Sequence, residues 1–520
     1  MRFRDIKMRS VYRNGDHPRC PAPFNLAAYA LSFADVTPNK PALLMVNSQH
    51  VIETWSYNAL RNAVLSTAYG FLKQGLCPKD RILLRLGNTV EFPIAYLAAI
   101  AVDLVPVPTS SQLTEREVEA IIATNQPKAI LTSSETQCPE QTNAVQITNT
   151  ELKKMQKEPL ADFIYGDPNR LAYIVFTSGT SATPNAVMHA HRAIWARQMM
   201  VNDWYQLRSN DRLLHAGAFN WTFTLGTGLL DPWSIGATAL VPELGSGFED
   251  IPDLLEKYDV SLFAAAPGIY RKILKNTHPF KAPSLRHGLS AGEKLQPSVS
   301  KDWMHATGTK IYEAFGMTEC STFISHNPQV NCSEDTIGKP QTGRVVAILP
   351  MEGDDQPVEL GEIGIISIDI NDSGLMLGYL KDQTPDPGNY RGDWFLTGDM
   401  GKMDADGAIT YLGRNDDMMN AGGFRVSPIE VEAVLLTHHD ISSVAVCQIE
   451  VKTDVMIIAA FFTAQCELKE DELKIFASTR LARYKQPRAY FQRESLPHGP
   501  NGKILRRNLK QLLGPSNDQT

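Results

Sequence analysis

Short apolar, β-branched runs alternate with helical patterns over the first several hundred residues. KAILTS (Lys128–Ser133), LAYIVF (Leu171–Phe176) and SLFAAAP (Ser261–Pro267) each have the length and composition of a buried strand. Strands alternating with helical stretches predict parallel α/β layers, because a parallel pair needs a crossover to bring the chain back. The most apolar stretch, PIAYLAAIAVDLVPVP (Pro93–Pro108), reads as a buried helix running into a strand. Asp103 and the prolines interrupt it short of the roughly 18 residues that span a bilayer. From about Asp335 the texture changes. GRVVAIL, GEIGIISIDI and GAITYLGR are short strands divided by Gly, Asp and Asn turns, which predicts a small β-rich module. VSPIEVEAVLL then opens a helix, with Ser427 as N-cap, Pro428 at the first helical position and Glu430 completing a capping box. A compact unit of αβ texture is expected after Arg414, with a size typical of one domain.

Composition changes this picture only by exclusion. A chain of 520 residues exceeds one core, and about 150 residues per domain predicts two to four units. The charge is 50 − 57 = −7, without a long Lys/Arg block, so the electrostatic footprint of a dedicated nucleic-acid binder is missing. The opening MRFRDIKMRSVYRNGDHPR has basic residues but no apolar run of signal-peptide length, which makes the cytoplasm the expected location. Cys20, Cys77, Cys138, Cys320, Cys332, Cys447 and Cys466 are scattered without CxxC spacing, and reduced, mostly structural thiols are expected.

Five segments carry candidate chemistry. In YIVFTSGTSATPNAVMHAH a strand ends in Thr177, Ser178, Gly179, Thr180 and Ser181, and a helix is expected to follow. Backbone N–H groups and hydroxyls of such a loop can wrap polyphosphate oxygens, and a plain Ser/Thr turn is the alternative. The spacing is not GxxxxGK[ST], so no Walker fold is implied. In KIYEAFGMTEC, Phe315 before Gly316 can stack on a flat base, while Thr318 and Glu319 offer a phosphate hydroxyl and a hard oxygen ligand for Mg²⁺. A strand end followed by a helix cap is the alternative there. WFLTGDMG places Asp399 after a strand, able to accept from ribose hydroxyls, and TYLGRNDDMMNAGGFRVSPIEVE brings Arg414 and Arg425 near a Gly-rich turn. LPHGPNGKILRRNLK sets Lys503 on a turn before a basic helix.

In this order and at these separations, the segments resemble the adenylate-forming (AMP-binding) superfamily of acyl- and aryl-CoA synthetases, nonribosomal adenylation domains and beetle luciferases. The resemblance runs from about Ala28 to Leu509, and GLSAGEKL (Gly288–Leu295) adds a match to the loop that borders the adenine. It implies an N-terminal domain over residues 1–413, with 1–27 an extension and 335–413 the β-rich module. A hinge at 414–417, with Asp416 at its pivot, then joins a mobile small C-terminal α+β domain over 418–520.

The resemblance also assigns roles. Thr318 and the Thr177–Ser181 loop position the phosphates, and Glu319 holds Mg²⁺. The adenine lies between Gly292, Glu293 and Lys294 on one side and Ala314, Phe315, Gly316 and Met317 on the other. Asp399 and Arg414 hold the ribose, with Arg425 also at the nucleotide. Lys503 bridges carboxylate and α-phosphate. A thiol then displaces AMP through a tunnel beside Gly422 and Gly423. Trp221, in HAGAFNWTFTLGTG, is the aromatic expected at an acyl pocket suited to an aryl or medium-chain aliphatic acid. The implied function is an AMP-forming carboxylate–CoA ligase using ATP, Mg²⁺ and coenzyme A. The alternatives are transfer to the phosphopantetheine of a separate carrier protein, or a catalytically weakened nucleotide-binding regulatory homologue.

One departure has a chemical consequence. Where these proteins read TSGTTGxPKGV, this chain reads TSGTSATPNAV, with Ala182, Asn185 and Ala186 in place of glycine, lysine and glycine. Without the lysine a cation is missing near the phosphates, and Ala182 narrows the backbone freedom of the loop. Asn185→Lys is therefore expected to lower the KM for ATP about tenfold, the worth of one charge-assisted contact. An unchanged ATP dependence would overturn this account.

Overall fold

The computed structural model describes residues 8–16, 19–47, 52–139, 142–177, 185–243, 248–276, 280–381, 384–386, 389–415, 417–421, 424–452, 455–498 and 504–513. The chain forms two compact units, one of Tyr12–Val346 with Ile368–Phe395, the other of Met1–Val11, Ala347–Ser367 and Leu396–Thr520.

The larger unit is built on a nine-stranded sheet, with strands β1 (Pro41–Val46), β2 (Ile52–Ser56), β3 (Arg212–His215), β4 (Thr238–Pro242), β5 (Leu262–Ala265), β6 (His287–Ala291), β7 (Ile311–Met317), β8 (Ser321–Ser325) and β9 (Lys339–Pro340). Their order is β9-β8-β7-β6-β5-β3-β4-β1-β2. The run from β7 to β1 is parallel, and the outer pairs are antiparallel. Both faces are covered, which is why these strands read as continuous apolar runs. Leu213, Ala264, Leu289, Ala291 and Ala314 pack with Trp204, Tyr205 and Phe223 in one cluster. Leu214, Phe263 and Ala265 pack with Tyr270 and Trp303 in another.

A second, four-stranded parallel sheet contains the strands Arg81–Arg85, Val105–Pro108, Ala129–Thr132 and Val145–Thr148. The helix Glu91–Ala101 is buried at every position and leads into Val105–Pro108, as its uniform apolarity predicts. Among the described residues no helix is long and apolar enough to cross a membrane.

One expectation is corrected. The strand Leu171–Phe176 does not feed a helix; it pairs antiparallel with Ala186–Ala190, and the next helix begins at Ala193. The Thr177 N–H donates to the Asn185 carbonyl at 2.9 Å, closing the hairpin. The physical reason lies in AVMHA, whose five residues are all buried and offer the strand a sheet partner close in sequence.

In the smaller unit, strands Ile441–Lys452, Val455–Ala464 and Ala489–Gln492 form a sheet. It shares a core with the helix Pro428–Leu435, through Val431, Leu435, Val444, Val446, Ile458 and Phe462. Ser427 caps that helix as expected, its hydroxyl accepting from the Glu430 N–H at 3.2 Å. The reciprocal half of the box is replaced: the Glu430 carboxylate pairs with Lys485, a partner distant in sequence. Mixed α/β architecture thus holds in the larger unit, and helices pack on an antiparallel-edged sheet in the smaller one.

Candidate active site

In parallel α/β sheets ligands bind beyond the carboxyl ends of the strands, and Trp221, the Gly292–Lys294 loop and the segment running through Thr318 and Glu319 follow or end strands β3, β6 and β7 there. β6 and β7 lie side by side with Ala291 opposite Ala314, so Gly292 leaves one strand next to where Phe315 continues the other. Gly292 has φ +97°, and a Cβ there would sit 2.8 Å from Cζ2 of Trp221. Glycine at this position lets the indole approach the loop that begins at Gly292. Trp221 in turn meets Phe223 edge to face, at 5.1 Å and 83°.

The loop Gly292–Glu293–Lys294 is anchored by a residue that no motif had flagged. The Leu295 N–H donates to Oε1 of Glu313 at 3.0 Å. Burial pushes the Glu313 carboxyl up to about 7, with the Leu295 bond and the charge of Lys294 pulling the other way. A carboxyl whose folded pKa is raised binds its proton more tightly when folded. Its stabilising contribution is complete below the ordinary carboxyl range and is lost as pH climbs through about 7. Glu313→Gln, which keeps the acceptor and removes the charge, is expected to be more stable than the parent at pH 8.5 by on the order of 2 kcal/mol. The two urea midpoints should converge near pH 4.5.

The register slips between Phe315 and Gly316, where β7 meets β8 in a bulge. A Cβ at Gly316 would sit 2.4 Å from the Ser321 carbonyl oxygen, so only glycine lets the strands cross here. The bulge re-aims the chain into Met317, Thr318 and Glu319. Phe315 rests edge-on against Phe323 at 5.6 Å and 71°. Nε2 of His189 is 2.8 Å from the Thr318 carbonyl. Burial lowers the pKa of His189 to about 4, so at neutral pH the ring is uncharged and donates to that carbonyl. The same ring stacks on Tyr173 at 4.9 Å.

Glu319 is buried, and its Oε1 accepts from the Tyr379 hydroxyl at 2.8 Å, while its carbonyl accepts from the Met376 N–H at 2.8 Å. Among the described residues no donor reaches Oε2 of Glu319. One oriented carboxylate beside a threonine suits Mg²⁺, which keeps waters and substrate phosphates as its other ligands. Tyr379 escaped the sequence reading because it is an unremarkable strand residue until pairing brings it to Glu319, and His189 and Glu313, though inside the quoted segments, because their spacing did not mark the partners that folding gives them. Tyr379 stands opposite Val187, and through that pairing the strand Gly378–Lys381 joins the hairpin.

The smaller unit assembles the expected ribose pair by itself. Asp399 and Arg414 stand opposite each other in neighbouring antiparallel strands, with the Arg414 guanidinium 3.6 Å from Oδ2 of Asp399. The Tyr411 hydroxyl donates to Oδ1 of Asp399 at 3.1 Å, and the Asp399 N–H donates to the Thr397 hydroxyl at 3.0 Å. Gly398, at φ +75°, leaves its Cβ position 3.1 Å from the guanidinium. Ser178, Gly179, Thr180, Ser181, Asp416, Gly422, Gly423 and Lys503 lie outside the described residues, as does the side chain of Arg425.

Comparison with known proteins agrees with these motifs. Acyl-coenzyme A synthetase ACSM3, mitochondrial, of Homo sapiens is 26% identical over 507 residues, covering 91% of this chain and 86% of that protein. Oxalate–CoA ligase of Arabidopsis thaliana is 29% identical over 464 residues, covering 84% and 89%. Among solved structures, a benzoate CoA ligase from Burkholderia xenovorans LB400 superposes with a TM-score of 0.83 at 24% identity, covering 94% of this chain and all of that one. The anthranilate CoA ligase AuaEII superposes with a TM-score of 0.85 at 23% identity, covering 95% and 98%. Residues 32–380 match the family described as AMP-binding enzyme, and residues 430–503 match the AMP-binding enzyme C-terminal domain. With both parts matched in order and the first spanning more than half of its length, the chain belongs to the AMP-binding enzyme family.

Proposed function

We propose that the protein is an AMP-forming carboxylate–CoA ligase, activating an aryl or medium-chain aliphatic acid with ATP and passing the acyl group to coenzyme A. The observation that carries this reading is the bulged corner of β7 and β8, which turns Thr318 and a tyrosine-held Glu319 together beyond the strand ends. A carboxylate resists substitution because its charge is delocalised and oxide is a hopeless leaving group. Attack of the carboxylate on the α-phosphate of ATP releases pyrophosphate and leaves a mixed anhydride, from which a thiol displaces AMP.

Each group contributes positioning or charge to that sequence. Thr318 and the Thr177–Ser181 loop hold phosphate oxygens, converting an encounter into a fixed approach. Glu319, oriented by Tyr379, would hold Mg²⁺, which offsets phosphate charge when bound. Phe315 offers a flat face to the adenine, Asp399 accepts from ribose hydroxyls with Arg414 beside it, and Lys503 supplies the cation where the two anions meet. Trp221 and Phe223 line an aromatic wall next to the adenine loop, which favours an apolar acyl body. A cytoplasmic location remains part of this proposal, and so does a mobile C-terminal domain pivoting near Asp416.

The test is acid-dependent exchange of labelled pyrophosphate into ATP over a panel of aryl and aliphatic acids, followed by thioester formation with coenzyme A or a purified carrier protein as acceptor. Exchange that requires an acid, and acyl transfer to coenzyme A, are the expected results. ATP binding without exchange for any acid would favour the regulatory reading. Transfer to the carrier alone would replace coenzyme A as acceptor.

A further inference from the structure

Beside the aromatic pair Trp221 and Phe223 lie buried polar groups that the ligase chemistry does not use. His215 closes β3 and is fully buried, yet neither Nδ1 nor Nε2 has a hydrogen-bond partner. The Oγ1 of Thr224, also fully buried, has none either. Orphaned buried polar atoms of this kind cost free energy, and three in one place require an explanation.

They are close to one another and to the acyl wall. A Cβ on Gly217 would sit 2.3 Å from Oγ1 of Thr224, 3.0 Å from Cε1 of His215 and 3.1 Å from its Nδ1. On the other flank a Cβ on Gly228 would sit 2.8 Å from Cβ of His215. Two glycines thus cradle the ring. The backbone beside it is pinned, since Asn88 donates to the Gly217 carbonyl and accepts from the Phe219 N–H, both at 2.8 Å. Two ring-to-ring steps, 5.1 Å from Trp221 to Phe223 and 4.5 Å from Phe223 to His215, lead from the adenine loop to this cradle. His215 stands opposite Ala264 across the β3–β5 pairing, and Ala264 shares its cluster with Ala291, Ala314 and Phe223.

We propose that His215 and Thr224 form the specificity-determining end of the acyl pocket, and that the acid is a hydroxyl-bearing aryl acid. This rests on the ligase reading above. A neutral imidazole offers one N–H and one lone pair, and the threonine hydroxyl offers both roles, so together they can complete the donor and acceptor of a phenolic hydroxyl. Burial alone lowers the pKa of His215 to about 3, with no charged group acting on it. A carboxylate or ammonium substituent at this end would lie desolvated beside a neutral ring, which selects against charged acids.

The experiment measures kcat/KM for pyrophosphate exchange with hydroxylated benzoates and cinnamates, each against its deoxy parent, in the native enzyme, His215→Phe and Thr224→Val. A site built around a hydroxyl rejects the analogue lacking it, so a native preference of at least about tenfold is expected, falling toward unity in His215→Phe and partway in Thr224→Val. The Thr224→Val variant, nearly isosteric, carries the test where His215→Phe does not fold. Exchange supported equally well or better by the deoxy acids leaves the ligase reading standing and overturns this one. A native preference untouched by either folded variant overturns it too. Failure of every acid overturns both readings.

Discussion

Lys503→Ala is expected to lower acid-dependent exchange of pyrophosphate into ATP about 10²–10³-fold, the usual worth of one group that stabilises developing charge in a transition state. The reason is electrostatic. The first step drives a carboxylate against a polyphosphate, and the repulsion peaks where the new bond to phosphorus forms. Lys503, which follows Pro500, Asn501 and Gly502 in the sequence, is the side chain we assign to that point. The second step has a different demand, because a thiol attacks a neutral acyl carbon and AMP leaves. Thioester formation from a supplied acyl-adenylate is therefore expected to fall no more than about threefold, well under 1 kcal/mol of barrier. Equal losses in both half-reactions would show that Lys503 supports the structure rather than the first step.

Asp231→Asn is expected to destabilise the larger unit by about 3–5 kcal/mol, read as a fall in its urea midpoint. Arg197 is buried, and its guanidinium faces the Asp231 carboxylate through two hydrogen bonds of 2.7 Å, Nε to Oδ1 and the terminal nitrogen to Oδ2. The Tyr205 hydroxyl adds a third, donating to Oδ2 at 2.7 Å. Removing the carboxylate charge leaves a guanidinium, which stays protonated, uncompensated in a low-dielectric interior. The effect reaches the site, because Arg197 also donates to the Ser321 hydroxyl, two residues past Glu319. A lowered kcat in the surviving folded fraction is expected alongside the lost stability. Replacing both Arg197 and Asp231 by apolar residues of matching volume should cost far less than Asp231→Asn alone, since no unpaired charge then remains. A midpoint change worth less than about 1 kcal/mol would mean that water reaches the guanidinium.

The two residues illustrate a wider division between what is local and what is not. Ser427 and Pro428 were legible as a helix start because a cap and a fixed φ act within one turn of the chain. The buried helix Glu91–Ala101 and the strand after it were legible because an element covered on every side has no polar face to display. The segments around Thr318, Asp399 and Lys503 made the family legible because their residue types recur in a fixed order along the chain. Glu430 marks the limit: its spacing predicted a return bond to the cap, but Lys485, 55 residues away, offered an opposite charge. The hairpin of Leu171–Phe176 with Ala186–Ala190 is a similar case, since apolar runs look alike whether their partner is parallel or antiparallel.

By itself, then, the amino-acid sequence determined most of the element types, the α/β class and the family, which follow from propensity, period and the chemistry of short motifs. Only the tertiary structure decided that Tyr379 orients Glu319, that Glu313 anchors the Gly292–Lys294 loop at Leu295, that Asp231 compensates the buried charge of Arg197, and that the side chains of His215 and Thr224 are buried without hydrogen-bond partners. Those relations depend on desolvation and on contacts between residues as many as 60 positions apart, quantities that come into being only when the sheets pair and their faces close.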